Sequence, residues 1–157
     1  MIFATCGSSH LPFERFMRAL AAVPADELIV QHGPATPPPA ARTIPFLPFA
    51  EMLELIEEAD LVVSHAGVGS IICAVRSGHT PIVFPRLQRH GETVDDHQVE
   101  LARALEQHGT VRVATDPGQL MPAIRALPAR GVSGPSDAVR LNAAVRAAIY
   151  GEPVPAG

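Results

Sequence analysis

The sequence predicts an α/β domain, a mainly parallel sheet with helices on both faces. Apolar runs alternate with helical patterns at the spacing of βαβ units. Apolar residues make up 47% of the chain and charged residues 18%, the balance of a globular protein that covers most of its sheet surface. Two apolar runs also end in glycine turns that lead into helical patterns, at Gly7 and at Gly67 to Gly69. A chain of 157 residues is one domain in size, so residues 1–157 are read as a single unit.

The elements follow in order. Residues 1–6 read as the first strand, and Pro12 to Val23 as a helix with Phe13, Phe16, Met17 and Leu20 on one stripe. Leu28 to Gln31 is a short second strand. The proline-rich stretch from Gly33 to Arg42 can hold neither a helix nor a central strand, because proline lacks a donor and fixes φ. An extended piece at Ile44 to Leu47 precedes a helix from Ala50 to Ala59. Asp60 to Ser64 is the most strand-like run, and a helix from Ser70 to about Arg76 should end near Gly78. Pro81 to Phe84 reads as a buried strand, Pro85 to Val94 as a polar loop, Asp95 to Gln107 as a helix, and Val111 to Ala114 as the last strand. Asp116 to Leu127 and Ser136 to Tyr150 read as closing helices, with no repeat at a solenoid period.

Composition excludes several functions. A formal charge of −4 with no run of one sign disfavours a nucleic-acid partner, and no polybasic cluster points to anionic lipid. The longest apolar stretches are too short to cross a bilayer, and Met1 to Thr5 enters a strand without a secretory leader. Cys6 and Cys73 stand in different motifs, which favours free thiols in a reducing cytosol over a disulfide framework.

Three segments carry candidate chemistry. In Thr5-Cys6-Gly7-Ser8-Ser9-His10, Gly7 lets the backbone approach a ligand, and the free amides at the start of the following helix attract an anion, so a phosphate can rest there. The same turn is also an ordinary βα connection with Ser8 or Ser9 near a helix cap. In Ser64-His65-Ala66-Gly67-Val68-Gly69-Ser70, Gly67 and Gly69 allow a tight turn, and the amides near Gly69, the Ser70 hydroxyl and the helix dipole can hold a diphosphate. His65 reads either as a donor to that anion or as a structural histidine closing the turn. This pattern has neither dinucleotide-fold glycine spacing nor a P-loop lysine. In Asp95-Asp96-His97-Gln98, the carboxylates suit a helix start, while the amide of Gln98 can donate to and accept from sugar hydroxyls. The spacing of His65, Asp95, Asp96 and His97 is not that of a metal motif.

In this order, His65 to Ser70, Gly78 to Pro81, Asp95 to Ala102 and the Thr5 to Ser8 loop resemble the C-terminal, donor-binding domain of glycosyltransferase family 28. The likeness covers roughly residues 1–120. It is nearest to the small subunits of two-component glycosyltransferases, both those of dolichol-linked glycan assembly and their bacterial counterparts in exopolysaccharide synthesis; the loop Pro85 to Gln98 is like the bacterial type. The resemblance implies a Rossmann-like domain equivalent to the C-terminal half of an inverting GT-B enzyme. It also implies a UDP-sugar donor: Gly67, Gly69 and Ser70 holding the diphosphate, His65 supporting it, and Asp96 with Gln98 meeting the sugar, with Gly7 and Ser8 of the matching N-terminal loop also counted as donor-binding. No cofactor or metal is expected, since helix amides neutralise the diphosphate. The catalytic base is expected from a membrane-associated partner subunit that binds a lipid-linked acceptor, so the chain would be cytoplasmic and peripheral at the inner membrane. Residues 128–157 would form a closing or docking helix. One departure stands out: many relatives carry a ribose-binding glutamate where this sequence has Cys73. That favours a competing reading as a non-catalytic accessory subunit. A free-standing sugar-nucleotide hydrolase has no nucleophile pairing to support it.

Overall fold

The computed structural model describes residues 1–127 and residue 143; the expected helix 136–150 and the closing segment 128–157 lie outside the described residues, apart from residue 143, which is helical. Six strands form one sheet: β1 (Ile2–Thr5), β2 (Leu28–Gln31), β3 (Arg42–Ile44), β4 (Leu61–Ser64), β5 (Ile82–Val83) and β6 (Arg112–Val113). Their order is β3-β2-β1-β4-β5-β6 and each pairing is parallel. The helices are α1 (Glu14–Leu20), α2 (Phe49–Glu58), α3 (Val68–Arg76), α4 (His97–Gln107) and α5 (Pro117–Ala126).

Side-chain alternation along the central strands builds a core on each face. Ile2, Ala4 and Val63 pack with Phe13, Phe16, Leu20 and Leu120 from α1 and its approach and from α5. Phe3 and Val62, one residue out of phase, pack on the other face with Leu55, Ile56, Ala59 and Ala74 from α2 and α3. A strand covered on both faces must be apolar throughout, and all four residues of β1 are buried.

Several element bounds differ from the sequence reading. The first helix starts at Glu14 because Phe13 has a non-helical backbone, with φ −122° and ψ 59°. The third strand lies at Arg42–Ile44, where it pairs with Ile29 to Gln31, and Pro45 and Pro48 follow it. The helix expected from Ser70 begins at Val68, since Gly67 takes the extended N-cap position; Gly69 and Ser70 therefore fall inside its first turn. Asp95, expected to open a helix, precedes α4 and accepts from the His97 amide at 3.1 Å. Asp116 caps α5 by accepting from Gly118 N at 2.8 Å, with Pro117 in the first turn.

This topology fixes where a ligand can sit. From β1 the chain moves outward to β2 and β3, then returns to β4 on the other side of β1. The connections therefore diverge between β1 and β4, and a doubly wound sheet opens a crevice at the carboxyl ends of such strands. Thr5 and Ser64 stand opposite each other in register there, each followed by one of the glycine turns.

Candidate functional site

A cleft of about 380 Å³ lies at this switch point. Gly7 and Ser8 line it from the β1 turn, and His65, Gly67, Gly69 and Ser70 from the β4 turn. Six of the eight residues singled out in the sequence thus meet in one space. The first helix-type bond of α3 runs from Ile71 N to Gly67 O at 3.1 Å, so the amides of Val68, Gly69 and Ser70 precede the intrahelical ladder. Those amides and the positive end of the helix dipole form an anion-attracting surface. Beyond its chain neighbours and its own helix backbone, none of the described residues lies within 4 Å of where a Cβ at Gly69 would be, so the space beside it is open.

The glycines do different work. Gly7 has φ +77°, a conformation that disfavours any side chain, and its amide donates to Thr5 Oγ1 at 3.1 Å. A Cβ there would lie 2.5 Å from His65 Nε2, and one at Gly67 would lie 2.7 Å from His65 Cε1. Gly67 itself has φ −78°, which any residue can adopt. Its lack of a side chain makes room for the imidazole, which sits between the two turns. Burial first, and the Arg86 guanidinium second, push the His65 ring down to about 4, with the Thr5 backbone pulling the other way. Near neutral pH the ring is uncharged, offering an N–H dipole and no formal charge. Its Nδ1 is buried without a hydrogen-bond partner among the described residues.

The other two candidates lie elsewhere. Gln98 lines a neighbouring hollow of about 440 Å³ with Ala66, Val68, His97 and Leu101; Gly67 borders both spaces. Gln98 Oε1 accepts from Arg86 N at 3.3 Å. Asp96 lines neither space: it is exposed, and Oδ1 accepts from Gln88 N at 2.9 Å, which ties the preceding loop to the start of α4. Cys73 is half-buried against the Phe3 and Ile56 cluster, and Cys6 is fully buried, its thiol pushed up to about 11 chiefly by burial.

Several residues of the site escaped the sequence reading. Gln31, at the end of β2, lines the cleft; its Nε2 donates to Gly7 O and Pro45 O, both at 3.0 Å, and its Oε1 accepts from the Thr5 hydroxyl at 2.5 Å. One side chain therefore ties the glycine turn to the loop after β3. That loop and the start of α2 supply an apolar wall, Phe46, Leu47, Phe49 and Met52, on which Phe46 and Phe49 are 54% and 65% exposed. A pair of exposed phenylalanines flanking prolines was the available signal. Arg15, Arg86 and Glu92, which do not line the cleft, are buried charges in segments that read as ordinary helix face and polar loop.

The family described as Glycosyltransferase family 28 C-terminal domain matches residues 1–133. The chain belongs to this family. Among curated proteins, it is 39% identical over 71 residues to the UDP-N-acetylglucosamine transferase subunit ALG13 of Homo sapiens, and 41% identical over 61 residues to the subunit of the same name from Cryptococcus neoformans. Those alignments cover 42% and 39% of this chain, and 6% and 30% of the relatives. Among solved structures, the glycotransferase of kitacinnamycin superposes with a TM-score of 0.57 at 25% identity, over 94% of this chain and 38% of that one. The glycosyltransferase SnogD from Streptomyces nogalater superposes at 0.52 with 18% identity, over 95% and 37%, a likeness of fold. The chain thus spans well under half of these larger glycosyltransferases. The doubly wound, GT-B-like fold expected of family 28 is the one observed. Among the described residues no helix is long and apolar enough to cross a membrane, and no three His, Cys, Asp or Glu side chains gather as a metal site.

Proposed function

We propose that this family 28 domain is the UDP-sugar-binding subunit of a two-component inverting glycosyltransferase. The observation that carries the reading is the meeting of the Gly7 and Gly67 to Ser70 turns at the switch point, in a cleft lined both by the start of α3 and by the Phe46 and Phe49 wall. An amide-rich helix start suits a diphosphate and an apolar wall suits a planar base. Gly69, Ser70 and Gly7 with Ser8 hold the diphosphate, and neutral His65 contributes its N–H. Gln98, in the hollow that shares Gly67, meets the sugar, while Asp96, which lines neither space, ties the preceding loop to the start of α4. The diphosphate needs no metal in this account, because fixed dipoles neutralise it.

The transfer breaks the bond between the anomeric carbon and the UDP oxygen, and the acceptor oxygen forms a new one with inversion. Charge grows on the leaving diphosphate as that bond lengthens. Preorganised donors aimed at this charge stabilise the transition state more than the ground state. The base that takes the acceptor proton comes from a partner, a membrane-associated subunit that also holds a polyprenyl-diphosphate-linked acceptor. The chain then works peripherally at the cytoplasmic face of the inner membrane. The Pro85 to Gln98 loop supports placing it in exopolysaccharide assembly, with a UDP-hexose or UDP-hexuronic acid as donor.

In the reconstituted pair, His65→Ala and Gln98→Ala are each expected to cut transfer at least tenfold, about 1.4 kcal/mol in the barrier, with partner binding retained. Full transfer by both would leave the second reading, an accessory subunit that stabilises its partner. Cys73 favours that alternative, since it packs into the core and offers no carboxylate to a ribose.

A further inference from the structure

The geometry points to Arg86 as a positioning residue of the donor site, one buried guanidinium that fixes the Gly7 turn and holds its positive charge against the backbone of that turn. This rests on the donor-site reading above. Arg86 is 2% exposed, although it lies in a loop. Its Nη2 donates to Cys6 O at 3.2 Å and its Nη1 to Leu11 O at 3.0 Å, so it grips both ends of the turn that carries Gly7 and Ser8. Nη1 also donates to Glu92 O at 3.1 Å, and the backbone amide of Arg86 donates to Gln98 Oε1. A single residue therefore joins the cleft wall, the loop before α4 and the hollow holding Gln98. The ring of Phe13 lies 4.5 Å below the guanidinium carbon, which closes that face to water.

The charge count around Arg86 is uneven. Arg15 and Arg86 are both buried, and among the described residues Glu92 is the one buried carboxylate. Glu92 gives both oxygens to Arg15, at 3.0 and 2.8 Å. Of Glu92, Arg86 bonds only the backbone carbonyl, while the carboxylate reaches it through space alone, and among the described residues Arg86 Nε has no partner. The Cys6 thiol next to it stays protonated, and the His65 ring stays neutral partly because of this cation. One net positive charge is thus left in low-dielectric surroundings in a chain whose formal charge is −4. A buried cation that shares its carboxylate with a second cation is costly unless another anion arrives to match it. The diphosphate is the anion the cleft is built to take.

The test uses the full chain as wild type, Arg86→Met, Arg86→Lys and Glu92→Gln. The readouts are melting, calorimetric titration with UDP and with uridine, and the NMR titration of His65 without ligand. Arg86→Met should weaken UDP at least tenfold and uridine less than threefold, and should move the His65 midpoint upward. Arg86→Lys, which keeps the charge, should restore most UDP affinity. Glu92→Gln should lower melting yet bind UDP as tightly as wild type or tighter. Equal weakening of UDP and uridine by Arg86→Met, or Lys no better than Met, overturns the proposal. If Arg86→Met does not fold, Glu92→Gln and Arg86→Lys decide: UDP affinity lost in step with melting in both reduces Arg86 to a structural fastener. Absence of UDP binding by wild type sinks the donor-site reading separately, and the His65 midpoint in Arg86→Lys, unmoved if charge is what it senses, still reports on the cation.

Discussion

The imidazole of His65 fills the space that a side chain at Gly67 would occupy. The pair explains a glycine whose backbone angles do not demand one. Gly67→Ala should therefore overpack the ring and cost about 1–3 kcal/mol. In a His65→Ala background the same change should cost much less, because the obstacle is gone. Denaturant unfolding of the four proteins in this cycle measures the coupling. An equal penalty in both backgrounds would show that the ring and the glycine do not contend for space.

A second consequence is pH dependence. In the folded chain His65 titrates at about 4, whereas unfolding returns it to its ordinary value near 6.5. The unfolded state then binds more protons between those limits, so this contribution to stability is complete above about pH 6.5 and is lost as pH falls toward 4. Its size is on the order of 3 kcal/mol by linkage. His65→Gln should flatten the stability profile in that window, and an unchanged slope would mean that the ring is not held neutral.

The ion pair of Arg15 with Glu92 should behave as a buried pair, far from the small effect of a surface bridge. Arg15 also donates to Thr115 O and Pro85 O, both at 2.7 Å, and Glu92 accepts from Leu87 N at 2.9 Å. Removing one partner strands the other charge, so Glu92→Ala should cost about 3–5 kcal/mol. The double change Arg15→Met with Glu92→Leu should cost less than the sum of the single ones. Strict additivity in thermal unfolding would contradict the coupling.

For the partner, the expectation rests on residues 130–157. Helix α5 ends at Ala126 and buries Leu120 against the α1 face, so a chain stopped at Ala129 keeps that packing. It should fold and copurify poorly with the acceptor-binding subunit. An unfolded product would place the missing residues in the core, and undiminished copurification would remove them from the interface.

Much of the fold was legible in the sequence because parallel strands buried on both faces must be apolar runs, and their glycine turns announce where the chain leaves the sheet. Leu28 to Gln31 was read with its observed bounds for that reason. The helix start at Val68 was misplaced by two residues because Gly67 can cap a helix as readily as Ser70 can begin one. Six of the site residues were legible because two glycine turns each follow a strand end. The roles of Gln31, Arg86 and Glu92 were not, because a buried charge in a loop has the same local sequence as a solvated one. What distinguishes them is partners 24, 80 and 77 positions away along the chain.

The central claim is that the open space beside Gly69 receives a diphosphate. Calorimetric titration of wild type and Gly69→Val with UDP, each with magnesium and with a chelator, tests it most directly. Beyond its chain neighbours and the backbone of its own helix, a Cβ at Gly69 meets no atom of the described residues, so the valine variant should keep its fold, with a melting temperature close to wild type. Wild type should bind UDP equally with and without magnesium, and melt higher in its presence. Gly69→Val should lose that binding. Wild type that ignores UDP in both conditions, or a folded Gly69→Val that binds it as well as wild type does, would contradict the account.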